Sequence, residues 1–283
     1  MLTLTELKSI FKEYGFTPLK RFGENYLIDR NIKDKIISAS CVTPSDTILE
    51  IGPGLGALTI DLAESGAEVY AVEKDKKAFG ILGALTAGRY PNLHIVNEDI
   101  LKFDPGAIPA KNIKVLGNLP YYITTPAIEH IIENRKNMIF ALVVVQKEVA
   151  ERILSEPGSR NCGSISCFVR YYTDPEYLHT IKRSSFFPVP DVDSALLKLV
   201  VRRKPPVQVK DEKLLFKIIR GSFNQRRKSI INSLSREAVL GCAKPDLFAI
   251  FKRAGVSPAA RPEDLTLAEF AAITNSVAPG HIP

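Results

Sequence analysis

Apolar runs alternate with amphipathic stretches along the first half of the chain. Five short apolar runs predict strands, and segments with apolar residues at helical spacing lie between most of them. The runs are almost continuously apolar, as expected for strands that helices cover on both faces. The alternation predicts a parallel sheet between two layers of helices. The predicted strands are 47–51, 68–73, 93–97, 113–117 and 139–145, and the predicted helices between them are 57–65, 75–88, 125–134 and 147–155.

The pattern changes outside this region. Two helices, 3–14 and 31–41, are predicted before the first strand. A helix at 162–172 and two strands that form an antiparallel edge of the sheet are predicted after the last one. Beyond a proline-containing linker, short amphipathic segments predict a helical region. We therefore predict an α/β domain over 1–203 and a small helical domain over 204–283. The remaining predicted elements are the strands 176–181 and 194–201, the linker 203–207 and the helices 211–221, 225–236, 246–254 and 266–275.

The positive charge of the chain is concentrated in its last third. From Arg202 onward there are 15 Lys and Arg residues against 7 Asp and Glu residues, which accounts for the whole net charge of +7. Such asymmetry indicates a polyanionic partner, nucleic acid first. The alternative is a basic surface that only meets solvent.

The overall composition is that of an ordinary soluble protein, with 45% hydrophobic and 24% charged residues. The apolar run Ile139 to Val145 is too short to span a bilayer. No signal-peptide pattern follows the N-terminus, so we expect a cytoplasmic protein without a membrane partner. The cysteines lack C-x-x-C spacing and are interpreted as reduced core thiols, with no metal site; they are Cys41, Cys162, Cys167 and Cys242.

A glycine-rich segment, Glu50 to Gly56, directly follows the first strand of the alternation. Glycines lack Cβ atoms, so the backbone there can turn sharply and approach a ligand closely. The spacing is G-x-G-x-G after an acid, whereas the dinucleotide fingerprint is G-x-G-x-x-G. This pattern favours S-adenosylmethionine over NAD. The alternative is a strand-to-helix turn that binds nothing.

An acid, Glu73, ends the second strand, 17 residues after Gly56. At this distance from a glycine loop, an acid can accept hydrogen bonds from two ribose hydroxyls. The alternative is that Glu73 belongs only to the charged turn 73–77.

The segment Gly117 to Tyr122 follows the fourth strand, at the edge of the sheet where sites form in open α/β folds. Asn118 Oδ1 and the Leu119 carbonyl can accept both hydrogens of an exocyclic amine on a flat base. Pro120 stiffens the loop, and Tyr121 can stack on the base, which is worth about 1–3 kcal/mol. The alternative is a tight turn, where Asn and Pro are common.

Several motifs in combination carry a family resemblance. They are Gly23-Glu24-Asn25-Tyr26-Leu27, Glu50 to Gly56, Glu73, Asp99, Asn118-Leu119-Pro120-Tyr121, Phe187 to Ala195 and Phe223-Asn224-Gln225-Arg226-Arg227-Lys228. With them the chain resembles the rRNA adenine N6-dimethyltransferase family, and within it the KsgA branch. The resemblance implies a seven-stranded Rossmann-like S-adenosylmethionine methyltransferase domain and a small basic helical RNA-binding domain. It also implies a monomer that dimethylates N6 of two adjacent adenines in a 3′-terminal hairpin of small-subunit rRNA, within a pre-30S-type particle.

The resemblance also implies roles for individual residues. The residues expected to bind the cofactor are Asn25, Leu27, Gly52, Gly54, Gly56, Glu73, Lys74, Asp99, Ile100 and Asn118. The target adenine would be held by Asn118, Leu119, Pro120 and Tyr121, with Phe187 over its other face. The alternative is that Phe187 is a core aromatic residue without a role in binding. RNA phosphates would meet Lys20 and Arg21 on one side, and Arg226, Arg227 and Lys228, at the start of a helix, on the other.

One position departs from the family pattern, and three other functions stay open. Glu24 stands where the family usually has Gln, which leaves the role of this position in doubt. The Erm branch, which modifies large-subunit rRNA, is an enzymatic alternative. A ribosome-assembly or RNA-binding factor that kept the fold without activity is another. A DNA adenine methyltransferase with an Asn-Pro-Pro-Tyr-type loop is the third.

Overall fold

A computed structural model describes residues 3–18, 25–225, 227–236, 240–241 and 244–277. Its contacts divide the chain into two compact units. The first comprises residues 1–150 and 175–201, and the second comprises residues 151–174 and 202–283.

The first unit is built on a twisted sheet. Within the described residues the sheet has seven strands in the order β4-β3-β2-β5-β6-β9-β7. Strands β2 to β6 are parallel to one another, and β9 runs antiparallel to β6. This confirms the predicted fold class and the antiparallel edge. The strands of the chain are β1 Tyr26–Leu27, β2 Thr47–Ile51, β3 Glu68–Glu73, β4 Leu93–Asn97, β5 Ile113–Asn118, β6 Met138–Gln146, β7 Thr173–Ile181, β8 Phe186–Phe187 and β9 Ser194–Val201.

Helices cover the sheet because their apolar faces and the apolar strands bury each other. Side-chain caps help to fix where several of them begin. Asp29 accepts hydrogen bonds from Asn31 N and Ile32 N at the start of α2, and Asp75 accepts from Lys77 N and Ala78 N at the start of α4. The helices are α1 Leu4–Glu13, α2 Arg30–Ser40, α3 Thr59–Glu64, α4 Lys76–Thr86, α5 Thr124–Glu133 and α6 Lys147–Leu154, the last of which runs into the second unit.

The strand order creates a switch point between β2 and β5. From β2 the chain passes to β3 and β4 on one side, and then returns to β5 on the other side of β2. Loops that leave the carboxyl ends of such strands diverge and open a crevice. The glycine segment after β2 and the Asn118 segment after β5 therefore flank one crevice.

The second unit is helical, with α7 Ser164–Tyr172, α8 Glu212–Phe223, α9 Ile230–Arg236, α10 Lys244–Ala254 and α11 Leu267–Asn275. The rings of Phe168, Tyr171 and Tyr172 pack on Phe216 with centroids 5.1–5.3 Å apart. This aromatic packing joins α7 to α8. The contacts place residues 151–174 in this second unit. The sequence prediction, with its boundary between 203 and 204, placed them in the first domain.

Two local features differ from the sequence predictions. The predicted helix 225–236 begins only at Ile230: Lys228 N donates to Gln225 O in a turn, and Ser229 O accepts from Ser233 N at the true helix start. The strands β1 and β8, which pair Tyr26 with Phe187, were not predicted because two residues show no periodicity. Among the described residues, no helix combines the length and apolar character needed to cross a membrane.

Candidate active site

The carboxyl ends of β2, β3 and β5 line a pocket of about 260 Å³. Most of the predicted site residues meet there. The predicted residues that line it are Asn25, Leu27, Gly52, Gly54, Glu73, Lys74, Asp99, Ile100, Asn118, Leu119, Pro120 and Tyr121. Two of the residues predicted to hold the cofactor or the target base, Gly56 and Phe187, are not part of the lining.

The three glycines after β2 have different roles. Gly52 and Gly54 line the pocket with φ of +63° and +56°, a backbone conformation that other residues adopt at a cost. A Cβ on Gly54 would lie 3.1 Å from the Tyr26 ring. A Cβ on Gly56 would lie 2.8 Å from Leu82 Cδ1, so Gly56 serves the packing of the loop against α4. The predicted contact of Gly56 with the cofactor therefore has no support from its position.

Glu73 is held rigidly at the end of β3. Its Oε2 accepts a hydrogen bond from Gly54 N at 3.0 Å, and its Oε1 accepts one from Asp75 N at 2.7 Å. The residue is buried. A carboxylate fixed in this way presents acceptors to a hydroxylated ligand without having to reorient.

Asp99 and Lys74 form an ion pair in the pocket lining. Lys74 Nζ lies 2.8 Å from Asp99 Oδ2, and Leu101 N donates to Asp99 Oδ1 at 3.1 Å. Burial alone would raise the pKa of Asp99, but these hydrogen bonds hold it below its usual value. The same bond to Asp99 raises the pKa of Lys74. At neutral pH the pair is a carboxylate beside an ammonium.

The segment after β5 presents two oxygen acceptors. Asn118 Nδ2 donates to Asn25 O at 2.8 Å, which orients the amide and leaves Oδ1 as its acceptor. Leu119 N donates to Val144 O at 3.1 Å. Among the described residues, neither Asn118 Oδ1 nor the Leu119 carbonyl oxygen accepts a hydrogen bond. The pair suits an amine with two hydrogens.

Tyr121 stands beside these acceptors, and its hydroxyl shares a hydrogen bond with Ser194 Oγ at 3.0 Å. Burial raises the pKa of Tyr121, so the phenol is neutral at physiological pH. Its ring is a flat apolar surface in the pocket lining.

Comparison with known proteins shows the family. The model of the family described as ribosomal RNA adenine dimethylase matches residues 15–278. The chain belongs to this family. It is therefore an S-adenosylmethionine-dependent rRNA adenine methyltransferase.

Relatives and solved structures agree with this assignment. The chain is 42% identical over 273 residues to ribosomal RNA small subunit methyltransferase A of Lachnoclostridium phytofermentans, covering 95% of this chain and 94% of the relative. It is 42% identical over 279 residues to the protein of the same name from Streptococcus sanguinis, covering 95% of each.

Among solved structures, a dimethyladenosine transferase from Plasmodium falciparum superposes with a TM-score of 0.74 at 25% identity, covering 88% of this chain and 95% of that one. The 23S rRNA methyltransferase ErmE gives a TM-score of 0.66 at 25% identity, covering 89% and 99%. Both are similar to this dimethylase in fold.

The pocket of this dimethylase fits an adenosine-containing cofactor. Gly52 and Gly54 leave room where side chains would intrude, and Glu73 offers a fixed carboxylate for ribose hydroxyls. Ile100, which is buried, offers an apolar surface for a base next to Asp99. To accept from an adenine amine, Asp99 would have to share its carboxylate with Lys74. These residues would hold S-adenosylmethionine.

Glu50 is a pocket residue to which the sequence analysis gave no role. It is only 2% exposed, and among the described residues its Oε2 has no hydrogen-bond partner. Burial raises the pKa of Glu50 to about 8; the nearby Thr59 hydroxyl opposes this shift, and the nearby Glu73 charge adds a smaller contribution to it. Its position just before the glycine segment could have indicated that it lies in the pocket. The sequence alone does not show that the acid is buried or whether it has a hydrogen-bond partner.

Glu50 makes stability depend on pH. Between pH 4.5, its ordinary pKa, and about 8, the folded chain keeps a proton that the unfolded chain releases. The contribution of Glu50 to stability is therefore greatest below this window and falls as pH rises through it, by up to roughly 5 kcal/mol. Glu50→Gln removes the titration. In thermal unfolding without cofactor from about pH 5 to about pH 9, we expect the Tm of the variant to rise relative to that of the wild type as pH rises. A difference in Tm that is constant across pH would contradict this.

Phe187 lies against the N-terminal helix. Its ring centroid is 6.2 Å from that of Phe11, and Lys8 Nζ is 5.4 Å from its centroid. The residue is partly buried and packs on the cluster that contains Leu7 and Ile10. This placement favours the core interpretation, and the covering of a target base by Phe187 stays a prediction.

The predicted RNA-binding residues are only partly within the described structure. Lys20, Arg21 and Arg226 lie outside the described residues, as does Glu24, whose role was in doubt. Arg227 and Lys228 are exposed in the turn between α8 and α9, and do not start a helix as predicted.

Proposed function

We propose that this dimethylase transfers two methyl groups to N6 of each of two adjacent adenines in a 3′-terminal hairpin of small-subunit rRNA. The observation that carries the proposal is the pair of acceptors, Asn118 Oδ1 and the Leu119 carbonyl, beside the cofactor pocket. The small-subunit target is supported by relatives of that name at 38–42% identity over nearly the whole chain. The large-subunit enzyme ErmE is more distant, at 25% identity.

The two acceptors address the chemical difficulty of the reaction. An adenine amine is a poor nucleophile because its lone pair is delocalised into the ring. Hydrogen bonds from both N–H groups to Asn118 and Leu119 favour a pyramidal nitrogen and point its lone pair away from them. S-adenosylmethionine supplies the methyl group, carried on a positively charged sulfur. The catalysis by this chain is orientation and electrostatic stabilisation, and no strong base is needed because the proton can leave after the transfer.

The same pair suits two successive methylations. After the first one, the amine keeps a single hydrogen, so one acceptor is enough to orient it for the second. The adenine has to leave its stack to reach the pocket, as in other enzymes that modify bases. Stacking on Tyr121 would offset part of that cost, by about 1–3 kcal/mol.

A basic ridge in the second unit would hold the RNA backbone. The ridge consists of Lys213, Lys217 and Arg220 on α8, together with Arg227 and Lys228 in the turn that follows this helix. Residues three and four apart on a helix share a face, with Cβ atoms about 5–6 Å apart. All five side chains are exposed. A row of cations at this spacing suits the successive phosphates of one strand.

Removing charge from the basic ridge should weaken RNA binding in a salt-dependent manner. For the double variant Lys213→Gln/Lys217→Gln we expect lower affinity for small-subunit rRNA. The plot of log K against log[salt] should be less steep by about 1.5, because each phosphate contact contributes about 0.7–0.9. Filter binding over a range of KCl concentrations measures this slope.

The matched control is Lys204→Gln/Lys252→Gln, which removes the same charge from exposed positions of the same unit outside the basic ridge. It should change the slope much less. Equal slopes for the two double variants would show that the basic ridge does not bind the RNA phosphates.

We further propose that the enzyme acts in the cytoplasm, as a monomer, on a pre-30S-type particle. The experiment that tests the substrate uses labelled methyl transfer to unmethylated small subunits, with unmethylated large subunits in parallel. Label in the small-subunit RNA alone is the expected result. Label only in the large subunit would move the assignment to an Erm-type activity. A folded protein that binds cofactor and both particles but labels neither would be an assembly factor.

A further inference from the structure

Ser194, which was not among the predicted site residues, contacts the proposed base-stacking tyrosine. It is the first residue of β9, its side chain is fully buried, and its Oγ lies 3.0 Å from the Tyr121 hydroxyl. The two residues are 73 positions apart in the chain. Their contact therefore depends on the tertiary fold.

Strand β6 supports both ends of this contact. On one side, Val144 O accepts a hydrogen bond from Leu119 N, two residues before Tyr121. On the other side, Gln146 pairs with Ser194 in the antiparallel ladder. The tyrosine and the serine are thus held by neighbouring positions of one buried strand.

The backbone just before Ser194 is also fixed. Asp193 accepts hydrogen bonds from Arg183 N at 2.9 Å and from Lys182 Nζ at 3.0 Å, and its carbonyl accepts one from Lys147 N at 3.0 Å. Ser194 Oγ therefore has little freedom to move. A hydrogen bond to such an atom defines the position of its partner.

We propose that Ser194 is a positioning residue that locks the Tyr121 ring in the orientation in which it stacks on the target adenine. This inference rests on the proposed function. One end of the tyrosine side chain is tied to a backbone stiffened by Pro120, and the other end is tied by its hydroxyl to Ser194. Without that second tie the ring samples other orientations, and the aligned adenine becomes less populated. A serine that only satisfied a buried hydroxyl would not affect turnover in this way.

The test is a double-mutant cycle on turnover. Ser194→Ala removes the anchor, and Tyr121→Phe keeps the ring but removes the hydroxyl that is anchored. We expect each single variant to lower kcat by about 10-fold, with Kd for S-adenosylmethionine unchanged within about twofold. The double variant should lose no more than either single variant, because both changes break the same bond.

The control is Ser40→Ala, which removes another fully buried serine whose hydroxyl donates to Ile37 O at 2.6 Å within α2. It should retain wild-type kcat even if its Tm falls. Losses that multiply in the Ser194/Tyr121 double variant, or a Ser194→Ala enzyme with wild-type kcat, would overturn the proposal. Failure of the proposed function itself is distinguishable, because the wild type would then be inactive in the same assay.

Discussion

Replacing Asn118 with alanine is expected to lower the turnover of adenine methylation by about 100-fold or more, while the affinity for S-adenosylmethionine changes by less than about threefold. The variant loses Oδ1, one of the two acceptors that we propose orient the amine. An interaction made with the reacting nitrogen affects kcat far more than cofactor binding. Single-turnover methylation of unmethylated small subunits gives the first quantity, and calorimetric titration gives the second.

A control for this variant is Asn134→Ala at the end of α5. Asn134 is exposed, and its Nδ2 donates to a backbone carbonyl, that of His130, at 2.9 Å, much as Asn118 Nδ2 donates to Asn25 O. Its removal should leave both quantities unchanged. Equal losses of turnover and cofactor affinity in Asn118→Ala would show that Asn118 supports the pocket but does not orient the amine.

Replacing Glu73 with alanine is expected to raise the Kd for S-adenosylmethionine by about 100-fold. Two hydrogen bonds from ribose hydroxyls to a carboxylate would be lost, at about 1.5 kcal/mol or more each. The backbone N–H groups of Gly54 and Asp75 would lose their acceptor as well. Titration calorimetry on the purified variant measures the change.

Two further variants make this result specific. Glu73→Gln keeps one oxygen acceptor and should bind the cofactor with intermediate affinity. Glu68→Gln removes a carboxylate from the other end of the same strand, outside the pocket lining, and should bind as the wild type does. A Glu73→Ala protein that is folded and binds within about threefold of the wild type would exclude the ribose role.

The sheet was predictable from sequence because its strands carry their own signal. The run Phe140 to Val145 is buried on both faces and is continuously apolar, and the glycine and asparagine segments follow directly after other buried strands of the same sheet. Once the strands are parallel, their carboxyl ends must share one edge. The placement of Gly52, Glu73 and Asn118 around one pocket is a consequence of this shared edge.

Contacts between distant segments were not predictable in the same way. The pairing of Tyr26 with Phe187 is too short to leave a periodic pattern, and the hydrogen bond from Tyr121 to Ser194 has no local signature. The burial of Glu50 is equally invisible, since an acid before a glycine segment looks the same in sequence whether it is buried or exposed. The packing of α7 on Phe216 is a further tertiary contact, and it joins α7 to the second unit.

We expect the pocket at the switch point to dimethylate adenine N6 in small-subunit rRNA. Mass spectrometry of nucleosides from unmethylated small subunits, after incubation with the enzyme and S-adenosylmethionine, tests it most directly. We expect N6,N6-dimethyladenosine at about two per particle at saturation, both within one 3′-terminal fragment, and almost none with Asn118→Ala. A product methylated at any other atom, or equal product from the Asn118 variant, would contradict it.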